Sequence, residues 1–373
     1  MPPGAWVPES SPLVVTSMSA PAIVRAQLIR STDNSIVRAM KEGVERLTRF
    51  PMLIFEGALC MSGTGLSACR QHAIDCWVWL NRYRIPLLPM LFSGPLLFPH
   101  SEFVTQAPNY QLSQSDVDQF HEDGFLMIRD YFSRSEMERF SDIARCDREM
   151  LLNFPYTSLD AEGRPTKLFV WSKLRSDIYS AYARHEALVE PWDQLLGGQV
   201  TYFHHKMMMK EPNTLGAWEW HQDYGYYYEH YLRPDMGGVM ITIDEASKTN
   251  GCLEVLRGSH RFGRVDHSRL GHQSEYETAA DPDRVKVLLA CCERVYCEMT
   301  PGTVLFFHAN LLHHSGPNLS NSPRWALISN YTRTDNPPFA ASPGWGENFE
   351  TLSADQVQEA VKAYALRQTE RDR

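Results

Sequence analysis

The chain has 373 residues, of which 43% are hydrophobic and 22% are charged. This is the composition of a soluble globular protein, and the length allows one large or two ordinary domains with a sizeable core. The formal net charge of −9, without basic runs to offset it, argues against nucleic acid as a partner.

Eight cysteines are scattered along the chain without the C-x-x-C or zinc-ribbon spacing of a metal site. A chain of this length does not need a disulfide framework to stabilise its core. The N-terminus also lacks a basic stretch followed by an apolar run, the pattern of a secretory signal. We therefore expect reduced thiols and a cytoplasmic protein.

Residues 1–110 differ in character from the rest and contain two apolar patches, Phe50–Cys60 and Ile85–Pro99. The second patch holds four prolines and is shorter than the roughly 20 residues of a membrane span, so no transmembrane segment is predicted. An exposed patch of this kind is one alternative, because it would suit contact with a membrane or a partner. We favour an irregular N-terminal extension of unknown role.

The next segment predicts a layer of helices around one strand. Ser113–Asp116 is a capping box that opens a helix, and Phe125–Ile128 is a buried-strand candidate. Ser133–Glu136 is a second capping box, followed by a helix with an apolar face, and 177–188 is also helical in pattern. We predict that these helices support a sheet.

From residue 199 onward, short apolar runs alternate with Gly-, Pro- and Asn-containing turns, which predicts many short strands. The predicted strands are Val200–Met208, Gly238–Ile243, Cys252–Leu256, Tyr296–Met299, Thr303–His308 and Trp325–Tyr331. The pattern indicates a mainly β antiparallel barrel or jelly roll, backed by helices, over residues 111–345. A C-terminal helix is predicted within 346–373, with Ser353 as its N-cap.

His221 and Asp223 are separated by one residue at a predicted strand end, where both side chains can turn onto one face. Two histidines and one carboxylate are the ligands of mononuclear non-haem iron(II) enzymes. For an isolated H-x-D, a core histidine beside an unrelated surface aspartate is the commoner explanation. A metal site therefore needs a third ligand from a distant strand.

The stretch 306–316 offers three candidates for that ligand. His308 lies within the apolar strand, which favours a packed, hydrogen-bonded core residue. His313 and His314 follow at the strand's far end, where a ligand can face the mouth of a barrel. Their spacing does not choose between them.

Arg324 follows His313 by eleven residues and precedes the last predicted strand. A guanidinium at this position is able to bind a carboxylate with two parallel hydrogen bonds. A solvated surface arginine is the alternative.

Aromatic residues crowd the H-x-D motif and would suit a pocket that stacks a planar substrate or binds a cation. They are Trp218, Trp220, Tyr224, Tyr226, Tyr227, Tyr228 and Tyr231. Trp220 and Tyr224 flank the ligands, so we predict that these two contact substrate. A lid packed on the barrel rim is the alternative interpretation.

Several of these motifs, in this order, resemble the phytanoyl-CoA dioxygenase family of iron(II)- and 2-oxoglutarate-dependent oxygenases. The resemblance covers roughly residues 113–340. It rests on His221–Asp223, Asn250–Leu253, Arg257–His260, Pro301–Thr303, Leu312–Asn318 and Arg324.

The resemblance implies a double-stranded β-helix fold and assigns His313 as the third metal ligand. It implies that Arg324 binds the far carboxylate of 2-oxoglutarate and that Ser315 helps to hold this co-substrate, with Lys210 as a further anion contact. The expected cofactors are Fe(II), 2-oxoglutarate and O2. The expected reaction is hydroxylation of an unidentified small organic molecule, with release of succinate and CO2.

Two departures from the family pattern concern the substrate more than the iron chemistry: His314 stands where glycine is common, and Met240 where a tryptophan is expected. Two alternatives remain open. One is an inactive metal-binding relative that acts as an interaction protein. The other is a divalent-metal hydrolase, which would leave Arg324 without a role. The oligomeric state is not predicted.

Overall fold

A computed structural model describes residues 111–152, 156–161, 163–269, 278–339, 346 and 348–371. The N-terminal extension predicted for residues 1–110 lies outside the described residues. Within them, no helix has both the length and the apolar character needed to cross a membrane.

A seven-stranded antiparallel sheet, the major sheet, forms the centre of the fold, with strand order β1-β11-β6-β13-β4-β3-β2. Its strands are β1 Phe125–Ile128, β2 Tyr156–Leu159, β3 Pro165–Trp171, β4 Val200–Lys210, β6 Met236–Thr242, β11 Val304–His308 and β13 Arg324–Arg333. The long pairing of β4 with β13 aligns Lys210 with Arg324 and Lys206 with Ile328.

A four-stranded sheet, the minor sheet, has the order β10-β7-β12-β5 and is also antiparallel. Its strands are β5 Trp218–His221, β7 Leu253–Leu256, β10 Arg294–Cys297 and β12 His313–Ser315. A separate hairpin pairs β8 His267–Arg269 with β9 Thr278–Ala280.

Side chains alternate between the two faces of each strand, so each face of the major sheet has its own apolar cluster. Met208, Met240 and Ile328 on the inner face pack with Val255 and Cys297 of the minor sheet. The two sheets therefore face each other across one core. This is the mainly β, double-stranded β-helix architecture that the sequence predicted.

Helices cover the outer face of the major sheet. They are α1 Gln114–Asp123, α2 Arg134–Cys146, α3 Arg148–Leu152, α4 Ile178–Tyr182, α5 Glu186–Val189, α6 Pro191–Leu195 and α9 Ala354–Arg371. Two more, α7 Asp223–Tyr227 and α8 Pro282–Cys291, lie within the strand region. Trp192 of α6 and Val357 and Val361 of α9 join the outer cluster with Phe306 and Leu327.

Most predicted elements are present, with shifts of one to three residues at their ends, and Ser113 forms the complete capping box. The second capping box is only half formed. The Ser133 hydroxyl accepts from the Glu136 N–H, but the Glu136 carboxylate turns inward and accepts from the hydroxyl of Tyr182 at 2.7 Å. The helix predicted over 177–188 is two short helices, α4 and α5. Strands β2, β3, β8 and β9 and helices α6, α7 and α8 were not predicted.

Candidate metal centre

Three predicted ligands meet at one end of the minor sheet. His221 ends β5, Asp223 begins α7, and His313 begins β12 directly opposite His221. One ligand atom from each residue lies within 4.8 Å of the other two, and all three residues are buried. The imidazole centroids of His221 and His313 are 4.1 Å apart.

Backbone carbonyls fix the orientation of both imidazoles. Nδ1 of His221 lies 2.7 Å from the carbonyl oxygen of Glu219, and Nδ1 of His313 lies 2.9 Å from that of Leu311. Because a carbonyl accepts only, each Nδ1 carries the proton and each Nε2 keeps its lone pair. Burial lowers the pKa of both histidines, so both are neutral near pH 7.

Asp223 is held in its ionised form by its neighbours. Burial alone would raise the pKa of this carboxyl, but the charge of Lys206, with smaller effects from nearby histidines, lowers it to about 2. Lys206 Nζ lies 3.7 Å from Oδ1, and Asn330 Nδ2 donates to Oδ2 at 3.2 Å. The carboxylate is thus charged and oriented without a hydrogen bond from the histidines.

Two neutral imidazoles and one ionised carboxylate on one face are the protonation states that a metal ligand set requires. Two histidines and one carboxylate are the donor set of mononuclear non-haem iron(II) sites. The residues present therefore fit the metal implied by the resemblance.

Gln222 lies between the two ligands of the motif, and its hydrogen bonds join their turn to two other segments, residues 263–267 and the loop at Asn310. Its amide nitrogen donates to the carbonyls of Gly263 at 2.8 Å and Asn310 at 2.7 Å. Its amide oxygen accepts from Val265 N–H at 2.8 Å, and its own N–H donates to His267 Nε2 at 2.9 Å. Hydrogen bonds of this kind orient the residues that bind a metal.

Arg324 is the second part of the site. Only 3% of it is exposed, and its Nη2 donates to the carbonyl of Gly251 at 2.8 Å. Its Nε is buried and has no hydrogen-bond partner among the described residues. Burial lowers the pKa of this guanidinium to about 10, so it stays charged at pH 7. An unpaired buried donor on a charged group fits an incoming carboxylate.

Lys210 and Ser315 link Arg324 to the strand of His313 through one strand pairing and one hydrogen bond. Lys210 pairs with Arg324 across β4 and β13, and its Nζ donates to the carbonyls of Ser315, at 3.1 Å, and Gly316. Ser315 is two residues beyond His313 on β12, so alternation turns both side chains to the same face. The close packing here explains Gly251: its φ is +76°, and a Cβ would lie 2.3 Å from the Gly316 carbonyl oxygen.

The other candidate histidines lie outside this cluster. His314 faces away from His313 and bonds through Nε2 to Glu254 at 2.7 Å, a carboxylate that also binds Arg294. His308 ends β11, where its Nδ1 accepts from the Asn310 N–H at 3.0 Å. The structure thus groups His313, and neither of its competitors, with His221 and Asp223.

The two predicted substrate residues take different positions. Trp220 packs against His314 with ring centroids 4.2 Å apart, beside the cluster of Leu256 and Val285. Tyr224 is buried, and its hydroxyl donates to the carbonyl of Tyr231 at 3.0 Å. Neither is grouped with the three ligands by a described contact, so their role in binding substrate stays a prediction.

Four other residues lie beside the candidate ligands: two belong to the aromatic run noted in the sequence, and two, Lys206 and Asn330, were not predicted. Trp218 and Tyr226 have ring centroids 6.1 and 5.5 Å from that of His221. Lys206 and Asn330 contact the two oxygens of Asp223. Alternation offered a signal for the last pair, since counting back from Lys210 in twos reaches Lys206, and counting on from Arg324 reaches Asn330.

A cavity of about 230 Å³ lies away from this cluster, on the helical side, against Asp147, Trp171, Tyr179 and Tyr364. Asp147 accepts from the hydroxyls of Tyr179, at 3.0 Å, and Tyr364, at 2.6 Å. The buried carboxylate in this cavity is therefore already bonded within the protein. None of the described lining residues belongs to the candidate metal centre.

The profile of the family "Phytanoyl-CoA dioxygenase (PhyH)" matches residues 120–326, more than half of the chain and the whole span from β1 to Arg324. The chain belongs to this family. Membership confirms the resemblance seen in the sequence and, with it, the predicted class of iron(II)- and 2-oxoglutarate-dependent oxygenase.

Two curated relatives of this chain have names that include a substrate. An L-proline trans-4-hydroxylase from Streptomyces griseoviridis is 33% identical over 175 residues, which cover 43% of this chain and 65% of the relative. This chain thus spans just under two thirds of that protein. An ectoine dioxygenase from Bordetella bronchiseptica is 24% identical over 67% of this chain and 85% of its own.

Among solved structures, EctD from S. alaskensis has the same fold. The structure with 2-oxoglutarate and 5-hydroxyectoine superposes with a TM-score of 0.53 at 22% identity, covering 70% of this chain and 92% of EctD. The structure of EctD with bound Fe gives a TM-score of 0.52, also at 22% identity, covering 70% and 94%. At this level of identity the likeness establishes the fold alone.

Proposed function

We propose that this PhyH-family protein is a dioxygenase that hydroxylates a small organic substrate and converts 2-oxoglutarate and O2 to succinate and CO2. The observation that carries the proposal is the grouping of His221, Asp223 and His313 with a buried Arg324 that keeps an unpaired donor. A hydrolase would not need Arg324. An interaction protein would need neither Arg324 nor the group of His221, Asp223 and His313.

The proposed roles follow from the contacts of each side chain. Nε2 of His221, a carboxylate oxygen of Asp223 and Nε2 of His313 would hold iron(II). Arg324 would bind the far carboxylate of 2-oxoglutarate, with Ser315 beside it, and Lys210 would anchor the β12 end of that site through the Ser315 and Gly316 carbonyls.

Bound iron(II) would supply the activation of O2 that couples decarboxylation of 2-oxoglutarate to transfer of one oxygen atom into a C–H bond. The protein's own contribution is orientation and exclusion of water. The ligands are buried, and the carbonyl bonds to both Nδ1 atoms hold the imidazoles in the required tautomer. The protein therefore sets the orientation and tautomer of both imidazoles before a metal binds.

The names of the relatives support a small-molecule substrate, since they include a hydroxylase of L-proline and dioxygenases of ectoine. Contacts to substrate from Trp220 and Tyr224 are part of the proposal. A cytoplasmic location and the lack of a nucleic acid partner are also part of the proposal. They are supported by the net charge of −9 and by the free, buried thiols of Cys252 and Cys297.

The first test is anaerobic addition of iron(II) and then 2-oxoglutarate, followed by the visible charge-transfer absorption of the complex. We expect the band in the parent protein and its loss in His313→Ala. Arg324→Met should keep the band but raise the dissociation constant of 2-oxoglutarate by about 10- to 100-fold, as expected for a lost charge-assisted hydrogen bond.

His314→Ala is the matched control, because it removes the neighbouring histidine, which bonds to Glu254 instead. Its band should equal that of the parent. A folded, metal-loaded parent without a band would overturn the co-substrate assignment. A band that needs His314 rather than His313 would overturn the ligand assignment.

A further inference from the structure

The inner face of the major sheet carries more positively charged side chains than are needed to bind the proposed co-substrate. Strands β4 and β13 contain no aspartate or glutamate, yet three cations on them share the face of Met208 and Ile328: Lys206, Lys210 and Arg324. Lys210 is bonded to two carbonyls, and Arg324 is proposed to bind 2-oxoglutarate. Lys206 is left without an assigned anion.

Lys206 lies beside the metal centre with unused donors. Its side chain is 18% exposed, and its ammonium nitrogen lies 3.7 Å from Asp223 Oδ1, longer than a hydrogen bond. No described residue offers it a closer acceptor. When a metal shares the charge of Asp223, a largely buried ammonium remains unneutralised, and such a group is costly unless an anion joins it.

Asn330 supplies the complementary feature on the same face of the sheet. Its Nδ2 donates to Asp223 Oδ2 at 3.2 Å, which turns its Oδ1 away from that carboxylate. Asn330 is 1% exposed, and Oδ1 has no hydrogen-bond donor among the described residues. A buried amide oxygen without a donor predicts an N–H or O–H from a ligand.

A free donor and a free acceptor therefore flank the same metal ligand. We propose that Lys206 and Asn330 bind the head group of a small α-amino or α-imino acid substrate. The Lys206 ammonium binds the carboxylate, and Asn330 Oδ1 accepts a hydrogen bond from the amine. This inference rests on the proposed function and gives it a substrate class. The product is the corresponding hydroxylated amino acid.

The binding test uses protein loaded with zinc(II) and 2-oxoglutarate, so that no turnover occurs, and calorimetry with a panel of the standard L-amino acids, L-proline included. For each binder, its carboxamide and its des-amino acid are measured in parallel. We expect at least one free amino acid to bind, and both analogues to bind about 10-fold or more weakly, since each loses one hydrogen bond to a buried group. With iron(II) and O2, the same amino acid should stimulate succinate release.

Lys206→Met then separates the substrate from the co-substrate. It should raise the dissociation constant of the amino acid by about 10- to 100-fold. The affinity for 2-oxoglutarate, measured at saturating metal because Lys206 also contacts the metal ligand Asp223, should stay at the parent value. Lys206→Arg should restore most of the affinity. Lys173→Met, a change at an exposed lysine, is the control and should alter nothing.

A fall in 2-oxoglutarate affinity in Lys206→Met would overturn the inference by assigning the lysine to the co-substrate. Equal binding of a carboxamide, or no amino acid bound by a parent protein that shows the band, would overturn it as well. Absence of the band in the parent would instead overturn the proposed function, so the two failures are distinguishable.

Discussion

Gln222 has no place in the proposed chemistry, yet it fixes the geometry on which the chemistry depends. Both polar atoms of its amide are bonded, to Gly263, Asn310 and Val265, and the residue is 1% exposed. Because it stands between His221 and Asp223, these bonds restrain the turn that presents both ligands. Satisfied buried networks of this kind make one conformation rigid.

Gln222→Leu keeps the volume of the side chain but leaves two carbonyls and one N–H without partners. Each buried group left unpaired costs about 1–3 kcal/mol, so the free energy of unfolding should fall by at least about 3 kcal/mol. Iron(II) affinity should fall by about 10- to 100-fold, as it does when groups that orient metal ligands are lost. Urea denaturation and an anaerobic iron titration measure the two effects.

Gln114→Leu is the control, since Gln114 is an exposed helix residue, and both quantities should stay near the parent values. Loss of stability with unchanged iron affinity would contradict a positioning role for Gln222.

At the scale of residues, the sequence predicted the three residues that the structure groups together more completely than it predicted their surroundings. His221 and Asp223 are close in the chain, so local spacing was enough to pair them. His313 and His314 could not be separated by spacing, because the choice depends on which of them faces the core, and only the pairing of β12 with β5 and β7 decides that. Lys206 and Asn330 are 124 positions apart in the chain and are brought together by a different long-range pairing, that of β4 with β13.

At the scale of elements, helix α9 is part of the main core rather than an appendage. Val357 is fully buried and Tyr364 is 7% exposed, and both pack in the cluster under the major sheet. The Tyr364 hydroxyl also donates to the buried Asp147 at 2.6 Å. The predicted boundary at residue 346 lies between the β domain and a helix whose apolar face packs in the core of that domain.

Val357→Ala should lower the free energy of unfolding by about 2–3 kcal/mol, through lost burial and the cavity left behind. Leu366→Ala on the same helix is the control, because Leu366 is 63% exposed, and it should change stability by less than about 0.5 kcal/mol. Denaturant unfolding of the two variants measures the difference. Equal effects would contradict the docking of α9 through its Val357 face.

The elements that were not predicted differ in how clearly the sequence signals them. Helix α8 has an aspartate N-cap, Asp281, and a proline at its first position, which are standard start signals. Strand β3 begins at Pro165 and includes Lys167, and its strand character comes from pairing with β4 along five residues. No local pattern gives that pairing, since the partner strand lies more than 30 positions away.

At the scale of the whole molecule, several buried histidines make stability depend on pH. Burial lowers their pKa to about 4 for His185 and His267 and to about 3 for His204 and His308. In the unfolded chain they return to the ordinary value near 6.5. The unfolded state therefore binds more protons than the folded state below about pH 6.5.

The metal-free protein should accordingly lose stability as the pH falls from 7 toward 5.5. Each such histidine contributes a slope of up to about 1.4 kcal/mol per pH unit once the unfolded form is protonated. Urea denaturation across this range, in the presence of a chelator, measures the slope. Stability that rises as the pH falls from 7 across the upper part of this range would contradict the burial of these side chains.

Four carboxyl groups act in the opposite sense, because burial raises their pKa and the folded state then takes up protons. They are Glu136, Asp177, Glu211 and Asp244. The stability that they add is lost as pH rises, so they oppose the histidines most near the acidic end of the range. The decline in stability should flatten there.

Because His313 and His314 are adjacent, an error in the register of β12 would place the wrong histidine at the candidate metal centre. A slip of β12 by one residue would exchange the two side chains between the core and the outer face, and the misfolded chain would still offer an imidazole to the metal. Glu254 makes the slipped register less stable. In the correct register its carboxylate bonds to His314, and in the slipped register this buried carboxylate would lose that partner. The hydrogen bond between His314 and Glu254 therefore favours the register in which His313, and not His314, faces the candidate metal centre.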